Sequence, residues 1–588
     1  MPAKLINGKL MAHTMKRYWP LWTAFFAAWA LGLLMPLMLL APQASYIAGA
    51  NVAQTMSIGW MFEYGAALAG VTVVSLVAAL LVFEHLFNKR AAIFYGAAPV
   101  SRTSLFLTPF AAGLGAMVGV ELLVFVLLGL LSLAYPVITL GEIATWLELT
   151  VGFTLVTYAT AVLCVSLSGT RAMAVILYAL AMGLGPTLVA VLVSIANTLF
   201  WGATLPLDTA FAWLSPVAGL AAYVLPTQMP MASGCHLALA GYAVVALLVA
   251  FGCLKLHDVR NLEVAGSQLA VPKAAPVLKL LLAAFVVAIF GVVALMSSVI
   301  SAQGQMGTAN VVVLTVIMVI GSVVGGFFAQ GVVTRSTRSL RGGWKYAAVM
   351  SALCVAFVAG CAFDVMGVQG YVPKADQIES VVLDGDAALT SPDAVQQVTE
   401  LHERILMLGP VEQQVQGIAD EDLYSAPCDM TITYKMKDGS TVSRCYGYNA
   451  VLPANDPVAA EIESLRKTYA KLACSQEARE SKMAPFLNAE RGTVTVYVSS
   501  NGIEGGLLDS KTSDTFVQAL AKDVREHGAY LGGSYWQEQC VTPDSDSLTT
   551  LVELNLFDGD KSSTVCLNPK TTPNAISCLE SHFGTKLK

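Results

Sequence analysis

NKRAAIFYGAAPVSRTSLFLTPFAAGLGAMVGVELLVFVLLGLLSL, Asn88 to Leu133, sets a basic connection against a long apolar run. Lys89, Arg90 and Arg102 all precede Leu105, and none of the residues from there to Leu133 is basic. A helix needs roughly 20 apolar residues to cross the hydrocarbon core, so this run is long enough to span a bilayer. The same alternation continues in both directions. Runs at about 18–40, 64–83, 105–133, 147–167, 173–200, 235–256, 277–300, 311–331 and 346–362 predict nine transmembrane helices. Basic residues occupy only every second connection. They are Lys4, Lys9, Lys16 and Arg17, then the trio above, then Arg171, then Lys255, Arg260, Lys273 and Lys279, then Arg335, Arg338, Arg341 and Lys345. Because Lys and Arg are retained on the cytoplasmic side, the pattern predicts an inside N-terminus and an outside C-terminus.

The composition agrees. A chain of 588 residues with 56% hydrophobic and 13% charged residues and a mean hydropathy of +0.64 reads as an integral membrane protein. Up to Val365 there are 16 basic and 9 acidic residues, and beyond it 18 and 31. The tail is therefore acidic, and it has no basic patch interleaved with aromatics, which argues against nucleic-acid binding. The first run exceeds the apolar length of a signal peptide and reads as an uncleaved span. Ahead of it, KLINGKLMAHTMKR suggests an amphipathic helix on the inner surface. The connection 201–234 is long, apolar and broken by Pro206, Pro216, Pro226 and Pro230, as expected of short interfacial or re-entrant pieces.

After Met366 the composition changes to a mixed pattern. Residues 378–383 and 493–499 are β-rich, and 430–448 carries two β-rich arms around Asp438-Gly439, a hairpin signal. Helical spacing occurs at 393–408, 457–472 and 514–525. The expected organisation is a cytoplasmic amphipathic segment 1–17, a six-helix core 18–256, three further transmembrane helices 257–366 and an extracytoplasmic α+β domain 367–588. Six cysteines lie in this tail: Cys428, Cys445, Cys474, Cys540, Cys566 and Cys578. An even number outside the cell predicts structural disulfides of open connectivity. Free thiols are the alternative, and zinc is the weaker one, because there is no C-x-x-C and His402, His527 and His582 lack ligand spacing.

Sequence motifs for catalysis are missing. The stretch GGLLDSKTS at Gly505 lacks the Gly-Lys pair of a phosphate-binding loop, and there is no H-E-x-x-H or G-x-S-x-G. Glu121 stands near the middle of the third run, where a charge costs on the order of 2.5–3.5 kcal/mol. It is expected to face the bundle, either as a substrate contact or protonatable group, or as a hydrogen-bonded tie between helices.

The loop HLFNKRAAIFYGAAPVSRTSLFLTPFAAG resembles the first cytoplasmic loop of type-2 ABC transporter permeases, especially the long permeases of Gram-positive bacteria. RNLEVAGSQLAVP at Arg260, FDVMGVQGYVPKADQIESV at Phe363 and the hairpin YKMKDGSTVSRCYGY add to the likeness. The chain departs from the family pattern at Gly96, Ala97 and Ala98 and in the tail cysteines. The resemblance implies a permease in a bacterial cell membrane, paired with a second permease subunit and driven by a separate ATPase that binds ATP and Mg. In that scheme residues 88–102 form a coupling helix that docks on the ATPase through Asn88, Lys89, Arg90, Phe94, Tyr95, Pro99 and Arg102, with Phe94 and Tyr95 as apolar anchors. Arg260, Glu263 and Gly266 are the secondary coupling candidates. Membrane lipid is a further expected partner of the basic residues. A membrane-anchored receptor whose tail binds a ligand, and a polytopic envelope transferase, are the rival readings.

Overall fold

The computed structural model describes residues 6–39, 66–96, 100–135, 140–205, 234–260, 264–296, 308–335, 341–385, 387–411, 423–424, 428–448, 451–453, 455–489, 494–500, 503–531, 551–556 and 562–583. Among them each of the nine apolar runs holds a helix. After the short α1 (Gly8–Arg17) these are α2 (Trp19–Leu39), α3 (Ala66–Val82), then past a short α4 (Lys89–Gly96) α5 (Arg102–Ala134), α6 (Leu140–Leu167) and α7 (Arg171–Leu199). They continue as α8 (Gly234–Val259), α9 (Ala275–Met296), α10 (Thr308–Thr334) and α11 (Gly343–Ala362). Among the described residues seven helices are long and apolar enough to cross a membrane, and shorter apolar helices cover Gly70–Val82 and Gly241–His257. The chain is a multi-pass, mostly helical membrane protein. Most of the proline-broken connection, residues 206–233, lies outside the described residues.

Two compact units divide the chain. One comprises Met1–Val193, Pro206–Met296 and Val313–Ala356, and the other Ser194–Leu205, Ser297–Val312 and Phe357–Lys588. In lipid there is little hydrophobic drive between helices, so close approach through small residues carries the packing. In the first unit Ala78 and Ala79 on α3 and Ala161 on α6 are fully buried beside Phe153 and Met117. A Cβ on Gly113 would lie 2.2 Å from the Tyr158 hydroxyl, so α5 meets α6 there only because position 113 is bare. The Gly321 and Gly325 pair works likewise, with Gly321 against the Phe290 side chain and Gly325 against the Ala283 carbonyl of α9. Trp29 of α2 meets Trp146 of α6 edge to face at 5.1 Å, beside a single π-turn at Ala30–Leu34.

The second unit holds β1 (Ala203–Thr204), β2 (Ile378–Leu383), β3 (Ala387–Leu389), α12 (Pro392–Leu408), β4 (Leu423–Tyr424), β5 (Cys428–Met436), β6 (Thr441–Tyr448), β7 (Leu452–Pro453), α13 (Pro457–Ala473) and α14 (Gln476–Leu487). Beyond these lie β8 (Val494–Ser500), β9 (Ile503–Leu507), α15 (Ser510–Glu526), β10 (Leu551–Leu556), β11 (Ser562–Cys566) and α16 (Pro573–Phe583). The hairpin expected at Asp438-Gly439 is present: Gly439 adopts φ +82°, Asp438 Oδ1 accepts from Ser440 N at 2.8 Å, and Lys435 pairs with Thr441. Residues alternate across β5, so Met430, Ile432, Tyr434 and Met436 face a core with Val398, Leu401 and Ile405 of α12 and Ile462, Leu465 and Tyr469 of α13. The helices expected at 393–408, 457–472 and 514–525 correspond to α12, α13 and α15. Asp456 starts α13 by accepting from Val458 N, with Pro457 at the first helical position.

The tail repeats itself. Leaving aside the two-residue pieces and α14, its elements among the described residues run ββαββα twice, and the strand orders β6-β5-β2-β3 and β11-β10-β8-β9 are equivalent. Val494, Val496, Val498, Val552, Leu554 and Val565 pack on Phe516, Leu520, Val524 and Leu579 in the second copy. The sequence carries the echo, since Asp558-Gly559 matches Asp438-Gly439 and Thr572-Pro573 matches Asp456-Pro457.

Candidate functional site

The connection between α3 and α5 is built around a short helix with one apolar face turned outward. Asn88 caps α4 by accepting from Arg90 N at 3.0 Å, an arrangement that satisfies a first-turn donor. Lys89, Arg90, Ile93 and Phe94 are exposed, Ile93 by 66% and Phe94 by 73%. Tyr95 is turned the other way, half-buried with its ring 5.0 Å from His85. The outward apolar pair is thus Ile93 and Phe94, not Phe94 and Tyr95, because the Tyr95 ring is drawn inward against the buried His85. His85 is buried. Burial, with help from His257 and Arg260, pushes its imidazole down to about 4, so it is neutral at physiological pH. Arg102 opens α5 at the exposed surface, and Pro99 lies outside the described residues.

Arg260 clamps four carbonyls. Its Nη1 donates to Ser166 O at 2.7 Å and Val165 O at 3.2 Å, and its Nη2 to Ser168 O at 2.8 Å and Leu86 O at 3.2 Å. The last carbonyls of a helix have no partner within it, and one guanidinium supplies donors to the end of α6 and to the turn before α4 together. Burial lowers its pKa to about 10, which leaves it charged. Backbone pairing continues the junction, with Gly266 N on Gly169 O at 2.8 Å, Gly169 N on Gln268 O at 3.3 Å and Ala270 N on Leu167 O at 2.8 Å. A Cβ on Gly169 would come within 2.4 Å of the Val264 and Ser267 carbonyls. Gly266, at φ +90°, is exposed and lies beside the Lys89 side chain. The structure therefore brings Lys89, Arg260 and Gly266 together in the first unit, while Glu263 lies outside the described residues.

Glu84, which the sequence reading passed over, ties the same region. Its two carboxylate oxygens take Arg17 Nη2 at 3.1 Å and Arg171 Nη2 at 2.8 Å. Both pairs are partly exposed, so each is worth about 0–1 kcal/mol. Its signal was available as the lone acid of a connection otherwise basic. Helix α1 forms as expected, because Gly8 occupies its first position and Asn7 caps it, and it is tied down by Asn7 N on Thr108 Oγ1 at 3.0 Å and Tyr18 Oη on Leu81 O at 2.7 Å.

Glu121 is fully buried on α5 and accepts from Thr154 Oγ1 of α6. It faces the bundle as expected. Its Oε2 has no hydrogen-bond partner.

In the second unit the tail sheet is completed from an unexpected place. Ala203 and Thr204, just past α7, pair with Arg444 and Ser443 as an edge strand, and Cys445 N donates to Gly202 O at 2.9 Å. Trp201 is buried against Tyr446 at 4.8 Å and Tyr448 at 6.0 Å. Gly202 adopts φ +74°, and a Cβ there would overlap the Tyr446 ring. Arg444, 3% exposed, donates to Val368 O at 2.9 Å and Tyr371 O at 3.0 Å in the segment after α11. Beneath it His402 sits between the hydroxyls of Tyr434 at 2.9 Å and Tyr446 at 2.6 Å, and burial pushes its imidazole down to about 3.

The disulfide expectation fails for the described cysteines. Cys445, Cys474 and Cys578 are thiols. They stand on β6, at the end of α13 and on α16, and the Cys445 sulfur instead accepts from Thr431 Oγ1 on the polar face of the sheet. Cys540 and the side chains of Cys428 and Cys566 lie outside the described residues.

Compared with protein-family models, with curated proteins and with solved structures, the chain matches none.

Proposed function

We propose that this chain is the membrane permease of a bacterial ABC exporter, with nine spans, an inside N-terminus and an α+β domain outside. A separate ATPase, binding ATP and Mg, and a second permease subunit complete it. The observation that carries the reading is α4, a short helix in a basic connection that turns Ile93 and Phe94 outward while Tyr95 and His85 hold its other side. Such a pair can supply the apolar anchors of an interface, and Lys89 and Arg90 beside it suit a partner with carboxylates. The sequence offers no nucleotide-binding motif of its own, which assigns ATP hydrolysis to the partner.

Replacing Ile93 and Phe94 together by Asp tests this. Loss of two interface anchors typically costs about 2 kcal/mol or more, so copurification of the ATPase should fall about 30-fold or more at equal membrane abundance, with folding of the permease unchanged. Undiminished copurification with undiminished ATP hydrolysis would place the coupling surface elsewhere.

A further inference from the structure

A small cleft of about 20 Å³ opens at the surface where α1, the end of α3, α4 and the start of α5 meet. Its polar lining includes His13, Arg17, His85 and Tyr95, and its apolar lining Val82 and Leu105. His85 is 7% exposed and its Nε2 has no hydrogen-bond partner, an unfavourable state for a buried nitrogen unless another molecule satisfies it. The charge balance is positive. Arg17 and Arg171 share the single carboxylate of Glu84, and Arg17 engages it through Nη2, so the guanidinium fork keeps donors for a second acceptor. A fork of this kind matches phosphate oxygens. The apolar side of the cleft suits an amphiphile better than a free ion.

Position argues the same way. The cleft lies at one end of three apolar helices and beside an amphipathic helix carrying Lys9, Lys16 and Arg17, the composition of a segment that rests on an anionic bilayer surface. We infer that it binds the phosphate-bearing headgroup of an anionic lipid of the cytoplasmic leaflet, with Arg17 and His13 at the phosphate and His85 as the hydrogen-bonding group at the base. The inference rests on the inside N-terminus of the topology proposed above, and does not require the ATPase.

The full-length chain, exchanged into nanodiscs of phosphatidylcholine with or without phosphatidylglycerol and then weighed by native mass spectrometry, provides the test. The wild type should retain phosphatidylglycerol in preference to phosphatidylcholine. Arg17→Gln should reduce that retention about tenfold or more, the effect of one lost charge-assisted hydrogen bond. Arg171→Gln breaks the other ion pair of Glu84 without touching the cleft lining and should retain the lipid as the wild type does. Equal retention by Arg17→Gln and the wild type, or equal loss in both variants, overturns the inference. Thermal stabilisation by inorganic phosphate with no preference for phosphatidylglycerol overturns the lipid assignment in favour of a free phosphate. ATPase copurification from the same membranes reports on the permease reading separately, since lipid preference can hold where the ATPase does not bind, and fail where it does.

Discussion

Arg260→Met is expected to destabilise the purified chain by about 3 kcal/mol, the largest effect of any single substitution in the basic connections. Each hydrogen bond to a charged donor is worth about 1.5–3 kcal/mol, and methionine fills much of the volume while removing donors from four carbonyls at once. Partial compensation by water at the half-exposed rim brings the total below the simple sum. Arg260→Lys should restore less than half of the loss, because a point ammonium cannot reach the carbonyls of Ser166, Ser168 and Leu86 in the fixed geometry of the guanidinium fork. Thermal unfolding followed by loss of monodisperse protein measures this. An Arg260→Met chain as stable as the wild type would mean that the clamp is dispensable and that Arg260 serves only orientation.

The second large effect is expected at Trp201. Truncating a buried Trp to Ala typically costs about 3–5 kcal/mol, and here the cavity would open against Tyr446 and Tyr448, the first of which bonds His402 through its hydroxyl. Gly202→Ala should do comparable damage by a different route, since it combines a left-handed backbone with a methyl placed inside the Tyr446 ring. Both changes should leave membrane insertion intact and make the tail susceptible to limited proteolysis. A tail as resistant as the wild type in both variants would show that the edge strand at Ala203 contributes little to its stability.

The membrane segments were legible because a span is a local composition and the basic residues label its ends. Runs placed from apolar length alone fall on the helices, and the Asp438-Gly439 turn and the spacing of 393–408 and 457–472 place their elements within a few residues. The tail's internal repeat was equally available, in Asp558-Gly559 and Thr572-Pro573, and escaped because each signal was read singly. Other features depend on contacts that sequence spacing does not encode. Trp201 and Gly202 reach a strand more than two hundred residues away, through a pairing of only two residues. Arg260 looks like any positive-inside residue until its guanidinium is placed among carbonyls. Tyr95 sits beside Phe94 in the chain, yet packing against His85 separates their roles. The cysteines misled because an even count does not bring sulfurs together, and Cys445 on β6, Cys474 at the end of α13 and Cys578 on α16 are all thiols.

Sidedness of two introduced thiols tests the account most directly. Lys16, exposed on α1, and Met407, 83% exposed on α12, are placed by the proposed topology on opposite faces of the membrane. Lys16→Cys and Met407→Cys chains would be treated with a membrane-impermeant maleimide, in intact and in permeabilised cells, and the labelled position read by peptide mapping. The account predicts that Met407→Cys labels in intact cells and Lys16→Cys only after permeabilisation. Labelling of both positions from the same side, or in the reverse order, would contradict it.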